Sequence, residues 1–385
     1  MKKQQITTCQ PDKAVRHGGD IYRNPVRYDF SINLNPLGMP EGVKRRLKET
    51  VEDWGRYPDP QCEALTRALA DYHQIAADRI LCSNGAADLI YGLVQTIKPR
   101  QALLLSPGFA EYEQALARSD CEIRYSRLYP ENGFLPDVQQ LCEQITPDTD
   151  LIFFCNPNNP TGHAVPREQI LQIAKRCEET ATRLILDECF CDLLDHPEAY
   201  SVVPEAEHFP GLFILRAFTK TYAMAGLRLG YGICADRGLL RRLSAGRQPW
   251  SISVPAQEAG CAALRESVYL NEARELLKAG RVYLTRELRR MGFLVYDSDI
   301  NFILFFYGQE PRHLHLYEAC LKRGILLRDC SNFTGLACGY YRICVSGQKE
   351  NQILVHTLEQ ILEETGKKSK EKADHELISD HPCGR

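Results

Sequence analysis

Lys220 follows the apolar run Leu212 to Leu215, and eight residues later Arg228 sits inside a Gly-Leu-Arg-Leu-Gly-Tyr turn. A lysine just past a buried strand is open to desolvation, which lowers the amine's pKa and frees its lone pair to attack an aldehyde. The arginine offers a two-pronged cation for a phosphate. Asp187 ends a second apolar run, Leu184 to Leu186, and the rigid heptad Asn156-Pro157-Asn158-Asn159-Pro160-Thr161-Gly162 follows a third, Leu151 to Cys155. Asn84-Gly85-Ala86-Ala87 leads from a strand into a helix, where unpaired amides and the helix dipole favour an anion. Taken one at a time, these are a surface lysine, a turn aspartate and a common strand-to-helix turn. Together they suit an aldehyde that carries a phosphate.

The elements that must position these groups alternate. Strands are expected at 79–83, 102–106, 122–125, 151–155, 184–186 and 212–215, with helices between them, including 170–177. Such alternation argues an α/β domain built on a mostly parallel sheet, with ligands at the carboxyl ends of its strands, where each of these motifs falls. Helical patterns dominate 236–290. A smaller α+β lobe then has strands near 293–296, 302–306, 325–327 and 341–345 and helices near 311–323 and 350–364. The expected division is an N-terminal arm and small-domain segment (1–45), a large domain (46–270), a C-terminal small domain (271–365) and a charged, disordered tail (366–385). Residues 1–15 also read as loose.

A net charge of −3 argues against nucleic acid or an anionic membrane as main partner, and no apolar run approaches a membrane span. Sixteen cysteines, scattered and in part within apolar strands, read as reduced thiols in a cytoplasmic protein. No metal site is expected: Cys189 and Cys191 lack a second pair, and His375, His381 and Cys383 in the tail are a weak signal.

Asp187, the asparagine heptad, Lys220 and Arg228 stand in the order and spacing of the fold-type I pyridoxal 5'-phosphate enzymes, and over about residues 12–360 the chain resembles that aminotransferase superfamily. The resemblance implies a large domain with a mostly parallel central sheet and a smaller C-terminal domain. It makes Lys220 the Schiff-base lysine and Asp187 the partner of the pyridine nitrogen. It gives Gly85, Ala86, Ala87, Thr219 and Arg228 to the cofactor phosphate, Phe109 to the ring face, and Asn159 to the phenolic oxygen and substrate carboxylate. Tyr57 matches a tyrosine that reaches the neighbouring subunit's phosphate, which implies a homodimer.

Within the superfamily, the chain is similar to histidinol-phosphate aminotransferases and, in more stretches, to threonine-phosphate decarboxylases of cobalamin synthesis. Those stretches are His17-Gly18-Gly19, Asp29 to Pro40, Pro107 to Tyr112, Gln248 to Ser251 and Leu327 to Phe333. Phe190 stands where many aminotransferases have a tyrosine. Ala217 departs from the usual serine or threonine at the cofactor phosphate. The decarboxylase reading implies a phosphorylated amino acid as substrate. Its carboxylate would be held by Arg342 and Asn159, and its phosphate by Arg328, His17, the Gly18 amide and Asn33. Which bond at Cα breaks would then depend on how these groups orient the substrate. Three readings are open: decarboxylation of threonine phosphate, and of serine phosphate beside it; transamination of the histidinol-phosphate type; and a non-catalytic protein that only binds the cofactor.

Overall fold

The computed structural model describes residues 17–308 and 313–379, with side chains for 17–308 and 316–364. The loose start, residues 1–15, lies outside them. A seven-stranded sheet forms the centre of the larger part. Its spatial order is Ile80–Ser83, Gly230–Cys234, Leu212–Ala217, Arg183–Asp187, Leu151–Cys155, Gln101–Ser106, Glu122–Arg127. Gly230–Cys234 runs antiparallel to both its neighbours, and the other strands are mutually parallel.

Both faces of this sheet are covered, which explains why its strands are continuous apolar runs. Successive side chains of a strand point to opposite faces. Leu212 and Ile214 therefore pack in one core with Ile152, Phe154, Leu184 and Leu186. Phe213 and Leu215 pack in the other, with Leu151, Phe153 and Ile185. Helix Ala86–Ile97 turns Leu89, Ile90 and Leu93 onto that second face.

Gly230–Cys234 is a strand that propensity alone does not suggest, because two of its five residues are glycines. Both glycines are needed for close packing. A Cβ on Gly232 would lie 2.3 Å from the Phe213 ring, and one on Gly230 would lie 2.6 Å from the Ala86 amide nitrogen.

The smaller part is a four-stranded antiparallel sheet in the order Arg328–Asp329, Tyr340–Cys344, Phe302–Phe306, Leu294–Val295. Helix Ser267–Arg290 links the two cores: Tyr269 and Leu270 belong to the large one, and Leu277, Leu284 and Leu288 to the small one. Tyr28–Asp29 pairs in parallel with Ile325–Leu326, so the N-terminal segment is stitched to the smaller part. The last helix runs Gln348–Ser379. The stretch from 366, expected to be disordered from its charge, is thus helical as far as Ser379. Its Lys, Glu and Ala are strong helix formers, and a lack of apolar residues argues against packing rather than against a helix. Residues 380–385, with His381 and Cys383, lie outside those described.

Candidate active site

Strand Leu212–Ala217 is buried along its whole length. A single helical turn, Phe218–Thr221, caps its carboxyl end and delivers Lys220 to a cavity of about 460 Å³. The lysine's neighbours Phe218, Thr219 and Thr221 are buried, while Lys220 keeps partial exposure through the cavity itself. Among the described residues its ammonium has neither a hydrogen bond nor an ion pair. Enclosure by protein pushes its pKa down to about 8, and the Arg342 and Arg228 charges push the same way against Cys189 and Asp187.

Asp187 ends the strand next to that run, in register with Leu215 on one side and Cys155 on the other. Its carboxylate lines the cavity. Oδ1 accepts from the Cys189 amide at 2.9 Å, and Oδ2 accepts from the Tyr112 hydroxyl at 2.7 Å. The next residue, Glu188, faces the other way and pairs with buried Arg216, which also reaches Asp192. That ion cluster anchors the strand beneath the lysine without entering the cavity. Nothing in the sequence around Tyr112 assigns it a role. Phe109 and Tyr112, three residues apart on one helical turn, were the available signal.

Helix Ala86–Ile97 points its N-terminus at the same cavity. No side chain caps it, so the Ala86 and Ala87 amides keep the free N–H groups of a first turn. Arg228 holds a left-handed backbone (φ 57, ψ 60) that aims its guanidinium across this terminus. A Cβ on Gly85 would lie 2.8 Å from Arg228 Nη2, and Gly85 itself has φ 79, ψ 160, a conformation essentially confined to glycine. The expected role of Gly85 needs one correction. Its amide already donates to the Ser83 carbonyl at 2.8 Å, so it supplies room for the arginine rather than a donor for an anion. Thr219 and Ala217 complete the wall.

The opposite wall comes from the smaller part. Arg328 and Arg342 are direct cross-strand partners, so their side chains leave the same face. Both are buried and line the cavity. Arg328 donates to the Asp329 carbonyl and, at 2.8 Å, to Asn332 Oδ1, and lies over Phe333. The Asp329 carboxylate is turned to the Ser331 amide instead. Arg342 donates to Asn159 Oδ1 and, at 3.0 Å, to the Ser31 carbonyl, with its Nε buried and unpartnered. Among the described residues neither guanidinium has a carboxylate within ion-pair distance. Burial lowers the pKa of both, Arg342 to about 10, and Arg328 adds to that depression.

The asparagine heptad is divided in labour. Asn156 clamps the chain at Val165 through both its side-chain atoms, and Asn158 holds the Pro107 carbonyl and Thr161, which leaves Asn159 for the cavity. Phe109, Asn33, Gly18 and His17 also line it. Gly18 must be a glycine, because a Cβ there would sit 2.3 Å from the Ser31 carbonyl oxygen. His17 Nε2 lies 3.2 Å from Glu111 Oε1, a partner the sequence did not suggest. Phe190 lines the cavity edge-on to Phe302, and no phenol replaces it. Tyr57 alone among the expected residues stands well away from this cavity: it is 79% exposed and packs on Trp250.

Residues 27–358 match the family of class I and II aminotransferases. The chain belongs to that family. The threonine-phosphate decarboxylase of Salmonella typhimurium is 38% identical to it over 336 residues, 87% of this chain and 91% of that one. The solved histidinol-phosphate aminotransferase of Clostridium acetobutylicum is 30% identical, with a TM-score of 0.81 over 88% of this chain and 99% of that one. The L-threonine-O-3-phosphate decarboxylase of Porphyromonas gingivalis is 25% identical, with a TM-score of 0.76 over 87% and 99%. The family's cofactor is pyridoxal 5'-phosphate, and the cavity fits it. A depressed amine, a strand-end carboxylate and an uncapped helix terminus roofed by arginine are the three contacts such a molecule requires.

Proposed function

We propose that this chain decarboxylates L-threonine O-3-phosphate to (R)-1-amino-2-propanol O-2-phosphate, as a step toward the cobalamin nucleotide loop. The observation that carries the reading is the pair of buried guanidiniums facing Lys220, neither with a carboxylate in ion-pair distance among the described residues. Like charges directly across a strand pair are unfavourable, and buried charge without a partner is costly. Two such cations on one cavity wall are explained by a ligand that brings two anions, as a phosphorylated amino acid does.

Lys220, Asp187, Thr219, Arg228 and the Ala86 and Ala87 amides would hold the cofactor, with Phe109 against its ring. When bound, pyridoxal phosphate supplies an electron sink for the pair left by a broken bond at the substrate's Cα. The chain's residues decide which bond that is. Arg342, steadied by Asn159, grips the substrate carboxylate, and Arg328, with His17, the Gly18 amide and Asn33, grips its phosphate. Two fixed ends set the rotation about Cα, so the carboxylate rather than the hydrogen is presented for cleavage. Carbon dioxide leaves, and Lys220 Nζ returns a proton to Cα. The apolar edge at Phe190 leaves the ring's phenolic oxygen to Asn159.

Tyr57 is exposed because it serves the neighbouring site of a homodimer. A cytoplasmic location goes with this reading; each of the described cysteines is a free thiol, and no helix among the described residues is long and apolar enough to cross a membrane. Serine phosphate, one methyl smaller, is the competing substrate, and a methyl discriminates by about 10–200-fold.

The test is incubation of the cofactor-loaded protein with threonine phosphate, serine phosphate and histidinol phosphate, each with and without a keto acid. Carbon dioxide and amine in equal amounts, without keto-acid dependence, are expected from threonine phosphate. Keto-acid-dependent turnover with formation of pyridoxamine phosphate would overturn the reading in favour of transamination.

A further inference from the structure

Asp187 holds its place in the cavity through two hydrogen bonds, and one comes from a side chain. The Tyr112 hydroxyl donates to Oδ2 at 2.7 Å, while the Cys189 amide donates to Oδ1 at 2.9 Å. With one donor on each oxygen, the carboxylate plane cannot turn about its terminal torsion, which is otherwise broad and roughly two-fold.

The tyrosine is itself immobilised. It is 3% exposed, stacks on Phe153 at 4.7 Å with the rings 7° from parallel, and takes the edge of Phe109 at 5.5 Å. Phe109 faces the cavity, so one phenol ties the group at the ring face to the acid at the ring's edge. Burial, and then the Asp187 charge, hold the phenol's pKa well above its ordinary value. The hydroxyl is therefore a donor at every pH at which the protein works. The Cys155 thiol is also close, and burial followed by Asp187 pushes it up too, so among the described residues Asp187 is the ionised group that holds the tyrosine.

We propose that Tyr112 is a positioning residue for the reaction: by fixing the plane and the free lone pairs of the Asp187 carboxylate, it sets the proton on the cofactor's ring nitrogen. This inference rests on the cofactor-binding reading above. An aspartate held by one backbone amide alone can rotate, and the proton on the ring nitrogen then loses its aligned acceptor. The electron sink weakens while the substrate grips, Arg328 and Arg342, stay as they are. The signature is a fall in kcat with KM nearly unchanged.

The variant is Tyr112→Phe, which removes one oxygen and keeps both ring contacts. Loss of a hydrogen bond to a buried charged group corresponds to about a ten- to hundredfold fall in kcat. The substrate KM should move by less than about threefold, as expected for an interaction that matters after binding. The direct readout is the nitrogen NMR shift of the protein loaded with pyridoxal phosphate labelled with nitrogen-15 in the ring. Wild type should give a protonated-ring signal and Tyr112→Phe a signal moved toward the neutral ring. Pyridoxal phosphate should also bind the variant apoprotein several-fold more weakly in a fluorescence titration. Phe153→Leu disturbs the tyrosine's stacking partner but keeps the hydroxyl, and should leave the ring signal at its wild-type position, which separates this role from a merely structural one. A Tyr112→Phe protein with wild-type ring signal and wild-type kcat would overturn the inference while leaving the cofactor reading intact. A wild-type protein with no protonated-ring signal would overturn both.

Discussion

Replacing Arg328 by methionine tests the substrate grip with little change in volume. The methionine retains an apolar stem against Phe333 and removes the guanidinium. Of the five N–H donors of that group, one serves the Asp329 carbonyl and one Asn332, which among the described residues leaves three for a ligand. A phosphate bound through two of them loses about 1.5–3 kcal/mol for each charge-assisted bond, or about 3–6 kcal/mol in all. The expected fall in kcat/KM for threonine phosphate is therefore about two to four decades. Because the phosphate end also holds the carboxylate in line for cleavage, kcat falls as well as KM rising. The cofactor's visible absorption should be unchanged, since Arg228 and not Arg328 faces the helix terminus. Folding should not suffer: the variant removes a buried cation that has no ion pair among the described residues and stands beside another, so the melting temperature should not drop by more than about 3 °C. The assay is steady-state release of carbon dioxide by both proteins, with unphosphorylated threonine in parallel. A variant within about threefold of wild type on threonine phosphate would refute the proposed grip. So would a wild type that turns over threonine and its phosphate equally well.

Three further outcomes follow from the same geometry. With its pKa near 8, about one Lys220 amine in ten is free base at pH 7, so the rate of cofactor loading onto apoprotein should rise about tenfold per pH unit below 8 and level off above it; Arg342→Met, which removes the largest charge opposing the ammonium, should move that midpoint upward, and an unchanged midpoint would disprove the coupling. Gly85→Ala forces a Cβ against Arg228 in a glycine-only conformation, so affinity for pyridoxal phosphate should fall about ten- to hundredfold in a fluorescence titration, and equal affinity would exclude Gly85 from the cradle. Tyr57→Phe should weaken cofactor binding in the dimer while leaving the subunit's melting temperature unchanged, because the side chain is exposed on its own chain; sedimentation that finds a fully active monomer would refute the shared site.

Most of the fold was legible because buried parallel strands declare themselves as unbroken apolar runs. Leu151–Cys155 and Phe302–Phe306 appear in the structure with the limits expected from sequence, and most other expected strands differ by a residue or two at their ends; the expected strand 325–327 instead divides into Ile325–Leu326, paired with Tyr28–Asp29, and Arg328–Asp329 in the four-stranded sheet. Gly230–Cys234 was not legible. Its glycines are selected by what lies above them, the Phe213 ring and the Ala86 amide, and no local pattern reports a neighbour 19 or 144 residues away. The helix over 366–379 was not legible for a complementary reason: composition tests whether a segment can bury apolar surface, and strong helix formers can make a helix with little of it.

The site was legible where chemistry is local and illegible where it depends on register. Lys220 beside its strand, Asp187 at a strand end and Gly85 before a helix each follow from a few consecutive residues, and all meet the same cavity or its cradle. The contacts that organise them are long-range. Tyr112 reaches Asp187 across 75 residues, and Arg342 reaches the Ser31 carbonyl across 311. The sequence marked Arg328 and Arg342 separately as anion contacts, but it did not show them side by side. That follows from a hairpin in which 328 opposes 342 and 329 opposes 341. A slip of one residue would turn one arginine to the other face of the sheet. The turn between the strands holds that register with two glycines at positive φ, Gly335 and Gly339. The first of these packs so closely that a Cβ would lie 2.4 Å from Ser106 Oγ, on the large domain. The face of the small sheet that carries both arginines is therefore held against the end of strand Gln101–Ser106, in the same large sheet whose other strand ends carry the lysine and the aspartate. A substitution at Gly335 should disturb the substrate grip before it disturbs the cofactor.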